Sequence, residues 1–578
     1  MLSCVPSHLA PGKLSKGWLP RAAVFVVALL AAVHVFAADV VDPLNKREPA
    51  RPDYLPANPA VPFALPPVER KPISPGSTGQ ESRYVQDVVF RGNTAIPTSE
   101  LDAVAAPYRG RLASVAEIEE LRQALTRYYV ERGYINSGAL LESNAPPQTL
   151  TFRIVEGKIS SIRLRGLGGL NDAYIADRLV RENDGPANID VLRERFQLLL
   201  SDPLIGRMNA RLIPDEQPGE AILDIDVVRN RPYQLTAFFN NYHSPAIGSE
   251  FAGLTGSVAN LTGRGDRLDV SYQNSTKWSS GGWGGVAWNV PLNFSGTSFN
   301  VQAQRVQSAV VEFPLDTLNI RSTLDIYDVG LSQFVFESLR QTLAVGVNAV
   351  YRQDSTTLLG EPFSFVPSEP NGTTRAKTLR LWQEYSYRLQ DQVLALRSTL
   401  SFVHNNAQDV PGLPQTTGTD SRYWFWLGQA QYARQVIDNG AQAVFRGTLQ
   451  ATSDHLLPLD LIPIAGVYEV RGYRENQIVS DKGAVFNAEF HYPLLHEARD
   501  GVGVSLIPFY DWGRGRNQNA EATILSSCGL AARVNWKGFR FDVLKAWRLI
   551  HPAILNSLHG TAQDRGISFQ VTYAFFGN

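Results

Sequence analysis

The sequence predicts a molecule in two parts: tandem α+β modules, then an all-β transmembrane barrel of about 16 antiparallel strands. Three observations carry this. Residues 82–230 run twice through the order β-α-α-β-β at nearly constant period, as a tandem module does. From about Tyr233 the helical period gives way to two-residue alternation that continues to the C-terminus. Charged residues make up only 19% of the chain while aromatics reach 10%, and 46 of the 578 residues are glycine, a balance that suits a turn-rich β protein.

Residues 1–37 read as a secretory signal. Lys13, Lys16 and Arg21 form a basic region, Ala22 to Val33 an apolar one, and Val35-Phe36-Ala37 a small-x-small cleavage site before Ala38. The alternative is a membrane anchor, but the run is short for one, carries His34 and ends at Asp39. No later segment has the ~18 uninterrupted apolar residues of a spanning helix, so a membrane-spanning form has to be a barrel. Residues 38–81 contain ten prolines, from Pro43 to Pro75, and read as an extended linker or strap. Of the two cysteines, Cys4 falls in the leader, so Cys528 is left without an intrachain disulfide partner.

The first module, 82–157, opens with a strand at Val85 to Phe90 and the turn Arg91-Gly92-Asn93. A short helix around Ser99 to Ala106 follows. Ser114-Val115-Ala116-Glu117 is a capping box, and the helix behind it lines up Ile118, Leu121, Leu125 and Tyr128 before Gly133 stops it. Strands at Ile135 to Leu141 and Leu150 to Val155 close the unit. The second module, 158–230, repeats this with a strand at Ile159 to Leu164, the turn Arg165-Gly166, and a helix near Tyr174 to Val180. A second helix carries Ile189, Leu192, Phe196 and Leu199 on one stripe, and strands follow at Met208 to Ile213 and Ala221 to Val228. Arg91 and Arg165 are read as serving their local turns. Two unrelated α+β domains are the alternative to a repeat.

In residues 231–578, Leu268, Val270 and Tyr272 alternate with Arg267, Asp269, Ser271 and Gln273. Leu379, Leu381, Tyr385, Tyr387 and Leu389 alternate in the same way with Arg380, Trp382, Glu384, Ser386 and Arg388. A soluble sandwich also alternates. Charges in mid-strand on one face and aromatics on the other favour a wet lumen and a lipid-facing wall. At roughly 20 residues per strand and connection, the span from Tyr233 to Phe575 accommodates about 16 strands, the even count nearest its length.

The net charge of −1 supplies no basic field for nucleic acid. There is no H-E-x-x-H, C-x-x-C, phosphate-binding loop or G-x-S-x-G elbow, so neither catalytic residues nor a metal or cofactor site is expected, and the chain is not read as an enzyme.

Four motifs remain. Val470-Arg471-Gly472-Tyr473 is followed, 36 residues after the tyrosine, by Phe509-Tyr510-Asp511-Trp512-Gly513. Asn260-Leu261-Thr262-Gly263-Arg264-Gly265-Asp266-Arg267-Leu268 lies early in the alternating region, and Glu489-Phe490-His491-Tyr492-Pro493-Leu494 between the first two motifs. With these residues and its domain order, the chain resembles the TpsB transporters of two-partner secretion, within the BamA-like outer-membrane superfamily. The resemblance implies POTRA modules in the periplasm and a barrel in the bacterial outer membrane. It implies that the sixth loop folds into the lumen on Val470, Arg471, Gly472 and Tyr473, with Arg471 paired to Asp511 in the wall motif of Phe509, Asp511 and Gly513. Asn260, Gly263, Gly265 and Asp266 match the early-barrel hairpin. Tyr573 and Phe575 stand where the family carries its C-terminal assembly signal, although Gly577-Asn578 extend beyond it. The proline density of residues 38–80 leaves little room for the pore-plugging helix of other members.

The implied function is translocation of a secreted adhesin- or haemolysin-like exoprotein from periplasm to surface, without ATP, driven by folding outside. POTRA strand edges would receive the client. Outer-membrane lipid and, during biogenesis, the barrel assembly machinery are the other implied partners; nucleic acid is not. One alternative is an insertase of the BamA/TamA type, which carries more POTRA units. A passive porin or surface receptor is another, and it leaves the periplasmic repeat unexplained.

Overall fold

The computed structural model describes residues 82–576 apart from 144–145, 147, 182–184, 366–370, 409–417, 497–500 and 553–559. The expected signal (1–37), strap (38–81) and C-terminal dipeptide lie outside the described residues.

In the first module, strand Thr149–Val155 is the middle of a three-stranded sheet, parallel to Asp87–Arg91 and antiparallel to Gly138–Leu141. Helices Thr98–Ala105 and Val115–Glu131 bury their apolar faces with this sheet in one core. The longer helix starts at the capping box: Ser114 Oγ accepts from the Glu117 amide at 3.3 Å, and the Glu117 carboxylate accepts from the Ser114 amide at 2.7 Å. Its buried stripe is Ile118, Leu121, Leu125 and Tyr129, where the sequence pointed to Tyr128. Eleven residues are close to three whole turns, so Tyr129 lies in line with Ile118 while Tyr128 is rotated off the face. Tyr128 is half-buried, and its hydroxyl donates to Glu100 at 2.8 Å. The next strand begins at Gly138 rather than Ile135, because the chain turns there, with the Ser137 amide bonded to the Tyr134 carbonyl at 3.1 Å. The pairing of Ser82–Val85 with Arg111–Ser114 in a separate two-stranded sheet was not anticipated.

The second module repeats the three-stranded arrangement. Glu220–Arg229 lies in the middle, parallel to Lys158–Arg165 and antiparallel to Ile205–Pro214. Helices Asp172–Leu179 and Ile189–Leu200 cover it, with Ile189, Leu192, Phe196 and Leu199 all buried. Arg165 serves the sheet rather than its turn: it bonds Asp224 at 2.9 Å and Asp226 at 2.8 Å on the neighbouring strand.

Among the described residues, sixteen antiparallel wall strands then close a barrel, from Tyr233–Asn240 to Ile567–Ala574. Every junction is antiparallel, and the circle closes where Gln570–Ala574 pairs with Thr236–Asn240. That seam is a short ladder beside the neighbouring junction of Tyr233–Val258 to Asn240–Phe251. The longest strand, Gln341–Leu358, has 18 residues, more than the ~9–11 needed to cross a bilayer. The wall therefore projects beyond the membrane on that side. Alternation sets the faces: in strand Val502–Arg516, Phe509, Asp511 and Gly513 are buried, while Tyr510 between them is exposed on the outside.

Candidate functional site: a loop anchored in the lumen

Residues 452–481 join wall strands Gln442–Ala451 and Lys482–Leu495 and pack inside the barrel. Ile462, Ile464, Ala465, Val470 and Tyr473 from this segment form a buried cluster with Val485 and Leu525 of the wall. Backbone hydrogen bonds fold the tip on itself, with the Val470 amide on the Ile464 carbonyl at 3.1 Å. Three sets of buried ion pairs among the described residues then tie it to the wall.

At the first, the Arg471 guanidinium grips Asp511 bidentately, Nε to Oδ2 at 2.7 Å and Nη2 to Oδ1 at 2.6 Å, and the Arg471 amide adds a bond at 3.1 Å. Its remaining arm, Nη1, reaches Glu489 Oε1 at 2.7 Å. The cation also lies 3.6 Å from the centroid of the Phe509 ring. This is the planar fork matched to a carboxylate, with an aromatic face beneath it. Asn487 holds both sides together, donating to Asp511 at 2.8 Å and to the Glu469 carbonyl of the loop at 2.6 Å. Glu489 in turn accepts from Arg446 and His491. The Glu489–Leu494 stretch noted in the sequence thus contributes to the same charge cluster.

The glycines provide clearance. A Cβ on Gly513 would lie 2.7 Å from Ile464 and 2.8 Å from Val470, so its bare backbone is what lets the loop lie against the wall. Gly472 has φ +90°, and a Cβ there would meet Ala546 at 2.9 Å. Its carbonyl accepts from Arg548 Nε at 2.6 Å. Tyr473 Oη donates towards the Ser526 carbonyl at 3.0 Å and the Ile550 carbonyl at 2.5 Å.

The other two anchors were not picked out from the sequence. Asp460 receives both Nη atoms of Arg352, each at 2.7 Å, and the Tyr423 hydroxyl; the paired side chains are 1% and 0% exposed. Here the loop carries the acid and the wall the base, the reverse of the first anchor. The available signal was a single carboxylate in the apolar run Leu456-Leu457-Pro458-Leu459-Asp460-Leu461-Ile462. Arg474, three residues past Arg471, bonds Asp564 at 2.5 and 2.8 Å and Glu312 at 2.9 and 3.0 Å, both on connections between wall strands. Asp481 closes the base of the loop, accepting the amides of Leu456 and Gln518 at 2.9 Å each.

The early hairpin lies elsewhere, at the periplasmic end. Asn260 has φ +62° and its side chain accepts from the Gly265 amide at 3.0 Å. Asp266 accepts from the Thr262 amide and hydroxyl at 2.8 Å each and from Trp288 Nε1 at 2.9 Å. Burial works against its charge, yet these bonds hold the carboxyl below the usual carboxylate range. The turn touches the second module: the Gly263 carbonyl accepts from the Asn171 amide at 2.8 Å, and Asn260 donates to the Gly169 carbonyl at 3.2 Å. The Tyr174 ring lies so close to Gly265 that any Cβ would collide with it. Tyr174 also stacks edge-on against Phe294 of the next periplasmic turn, with Arg178 over its face at 3.9 Å. On the same periplasmic rim, where the last wall strand ends, Tyr573 packs on Phe539 at 4.4 Å, and the Phe575 amide bonds the Leu235 carbonyl at 3.0 Å just past the seam.

Comparison with known proteins gives a consistent picture. The family model for haemolysin secretion/activation protein ShlB/FhaC/HecB matches residues 219–535, and that for the POTRA domain, ShlB-type, matches residues 84–157. The outer membrane transporter CdiB of Dickeya dadantii is 20% identical over 497 residues, 82% of this chain and 84% of that one. The heme/hemopexin transporter protein HuxB of Haemophilus influenzae is 23% identical over 198 residues, 33% of this chain and 34% of that one. In fold, CdiB from Escherichia coli superposes with a TM-score of 0.66 at 16% identity, covering 95% of this chain and 99% of that one. CdiB from Acinetobacter baumannii does so with 0.60 at 13% identity, covering 89% and 95%. The chain therefore belongs to the ShlB/FhaC/HecB family of haemolysin secretion/activation proteins, the TpsB secretion transporters of the bacterial outer membrane, whose POTRA domains are periplasmic.

Proposed function

We propose that this transporter exports one large adhesin- or haemolysin-like exoprotein, and that Arg471 and Asp511 hold the luminal loop in the position export requires. The observation that carries the reading is the loop itself. A passive pore needs an open lumen, whereas here residues 452–481 occupy it with an apolar cluster and desolvated ion pairs. Such a loop has discrete held and released arrangements, because each anchor is either made or broken. A client entering the barrel has to share the lumen with it. In the periplasm, the outer edges of Asp87–Arg91, Gly138–Leu141, Lys158–Arg165 and Ile205–Pro214 are unpaired within their sheets. Such edges accept an extended chain by main-chain hydrogen bonding.

The test is deletion of the gene in its host, with comparison of the culture-supernatant and outer-membrane proteomes. Selective loss of one large secreted protein is expected, restored by the wild-type gene and not by Arg471→Ala or Asp511→Ala. Broad depletion of other barrels would replace this reading with an insertase. Unchanged proteomes would replace it with a pore or receptor.

A further inference from the structure

We propose that the outer surface of three adjacent wall strands, Thr373–Arg388, Gln392–Asn405 and Arg422–Gln435, carries a binding site for a phosphorylated, multiply acylated lipid of the outer leaflet. Strand register carries the argument. Tyr327 pairs with Tyr351, Tyr351 with Lys377, Lys377 with His404, and His404 with Arg422. These five residues therefore form one continuous row across the outside of the wall. Lys377, His404 and Arg422 are all exposed there, and Arg375 is exposed two residues further along the first of these strands.

The row lies on the extracellular side. The first wall strand leaves the periplasmic modules at Tyr233 and runs outward, and every later strand reverses direction. Gln392–Asn405 is the ninth, so His404 is at its outer end, and Arg422 opens the tenth. One step towards the periplasm, the next outward row is Val329, Ala349, Leu379, Phe402 and Trp424. The row after that is Leu331, Val347, Leu381, Leu400 and Trp426. The boundary between apolar wall and polar rim thus falls directly beneath the cations. An open trough of about 850 Å³ spans that boundary, lined by Lys377, His404 and Arg422 above and by Leu379, Phe402 and Trp424 below.

The local acids leave the cations available. Asp325, one row further out, is gripped by Arg305 at 2.6 and 3.0 Å. Asp454, at the edge of the trough, accepts from the Trp424 amide at 3.1 Å and from Ser453 at 3.0 Å. Neither Lys377 nor Arg422 has an ion-pair partner among the described residues. Cations at headgroup depth over an aromatic and aliphatic wall are complementary to a phosphate carried on acyl chains. A soluble anion would have no use for the apolar half of the trough.

The experiment is native mass spectrometry of the purified full chain in detergent, titrated with diphosphoryl lipid A. Bound lipid is expected to survive millimolar inorganic phosphate. Each cation near a charged lipid surface contributes roughly a fivefold factor, so K377Q/R422Q should weaken binding about 30-fold. Dephosphorylated lipid A should bind the wild type as weakly as the intact lipid binds the variant. Both side chains point away from the lumen, so heat-modifiable migration on gels should show an intact barrel. If the double variant misfolds, K377Q and R422Q alone are each expected to give about fivefold. Unchanged binding by the folded variants, or equal binding of the dephosphorylated lipid, would overturn the proposal. So would displacement of the lipid by inorganic phosphate, which would leave a small-anion site.

Discussion

Replacing Arg471 with alanine removes, in one step, both arms of the bidentate contact with Asp511 and the arm on Glu489. What stays behind decides the magnitude. Asp511 is 0% exposed and keeps Asn487 at 2.8 Å, the backbone amide of residue 471 at 3.1 Å and a long contact from Ser527 at 3.5 Å, none of them charged. Breaking one partner out of a buried pair typically costs about 3–5 kcal/mol, because the remaining charge is left desolvated. Both members are nearly sealed from solvent, so little of that is recovered by hydration. The held-to-released equilibrium of the loop tip should then shift by roughly 150- to 5,000-fold. The release is local, because Asp460 and Arg474 hold the rest of the loop through different partners. The assay is protease accessibility of residues 452–481 on intact cells, alongside secretion of the partner and heat-modifiable migration of the barrel. Arg471→Ala should expose the tip and lower secretion while the barrel still migrates as folded. Arg471→Lys should recover little, because one ammonium cannot serve two carboxylates and lie flat on Phe509. Wild-type protection and secretion in Arg471→Ala would refute the reasoning.

Asp460→Ala takes the carboxylate from Arg352, which is 1% exposed and keeps the neutral Thr378 hydroxyl at 3.3 Å, and a cost of about 3–5 kcal/mol is expected there too. A reduced thermal unfolding midpoint of the purified barrel checks it, and Arg352→Met with Asp460→Leu should restore part of the loss. Gly513→Ala drives a Cβ into Ile464 and Val470 and should cost about 1–3 kcal/mol as overpacking. Ile464→Ala combined with Val470→Ala should relieve the defect in the same unfolding assay, and failure of that rescue would mean the clash is not the cause. Gly265→Ala should push Tyr174 off the hairpin and free the second module, read as faster proteolysis between residues 229 and 233. Tyr174→Ala in the same chain should not worsen it.

How much of this was legible in the sequence depends on the range of each interaction. Alternation is local, so the barrel could be read directly, whereas the inward placement of Phe509, Asp511 and Gly513 came with the family resemblance. Helix faces are local as well, although a one-residue error of phase put Tyr128 where Tyr129 lies. The Arg471–Asp511 contact was reached through two recognisable motifs and the family resemblance, not through periodicity. Arg352 and Asp460 are separated by 108 residues, and Arg352 sits in a strand whose inward positions mix polar residues such as Asn348 and Asp354 with the apolar Ala344 and Val350, so nothing marked it out. The positive φ of a tight turn, +78° at Gly265, is one legible reason for that glycine; the other was invisible, because a tyrosine ring from another domain fills the space of its missing side chain and sequence does not report proximity across domains.

The seat of the second module on that hairpin also has a mechanical side. Residues 260–266 join the second and third wall strands, and the second strand pairs with the first, whose other edge is the short seam. A load borne by the module passes through Tyr174 and the Gly263 carbonyl into the strand pair one position from the shortest junction in the circle. The periplasmic arm and the closure of the wall therefore share one lever, so tension in the arm is delivered at the point where the cylinder has least ladder to resist it.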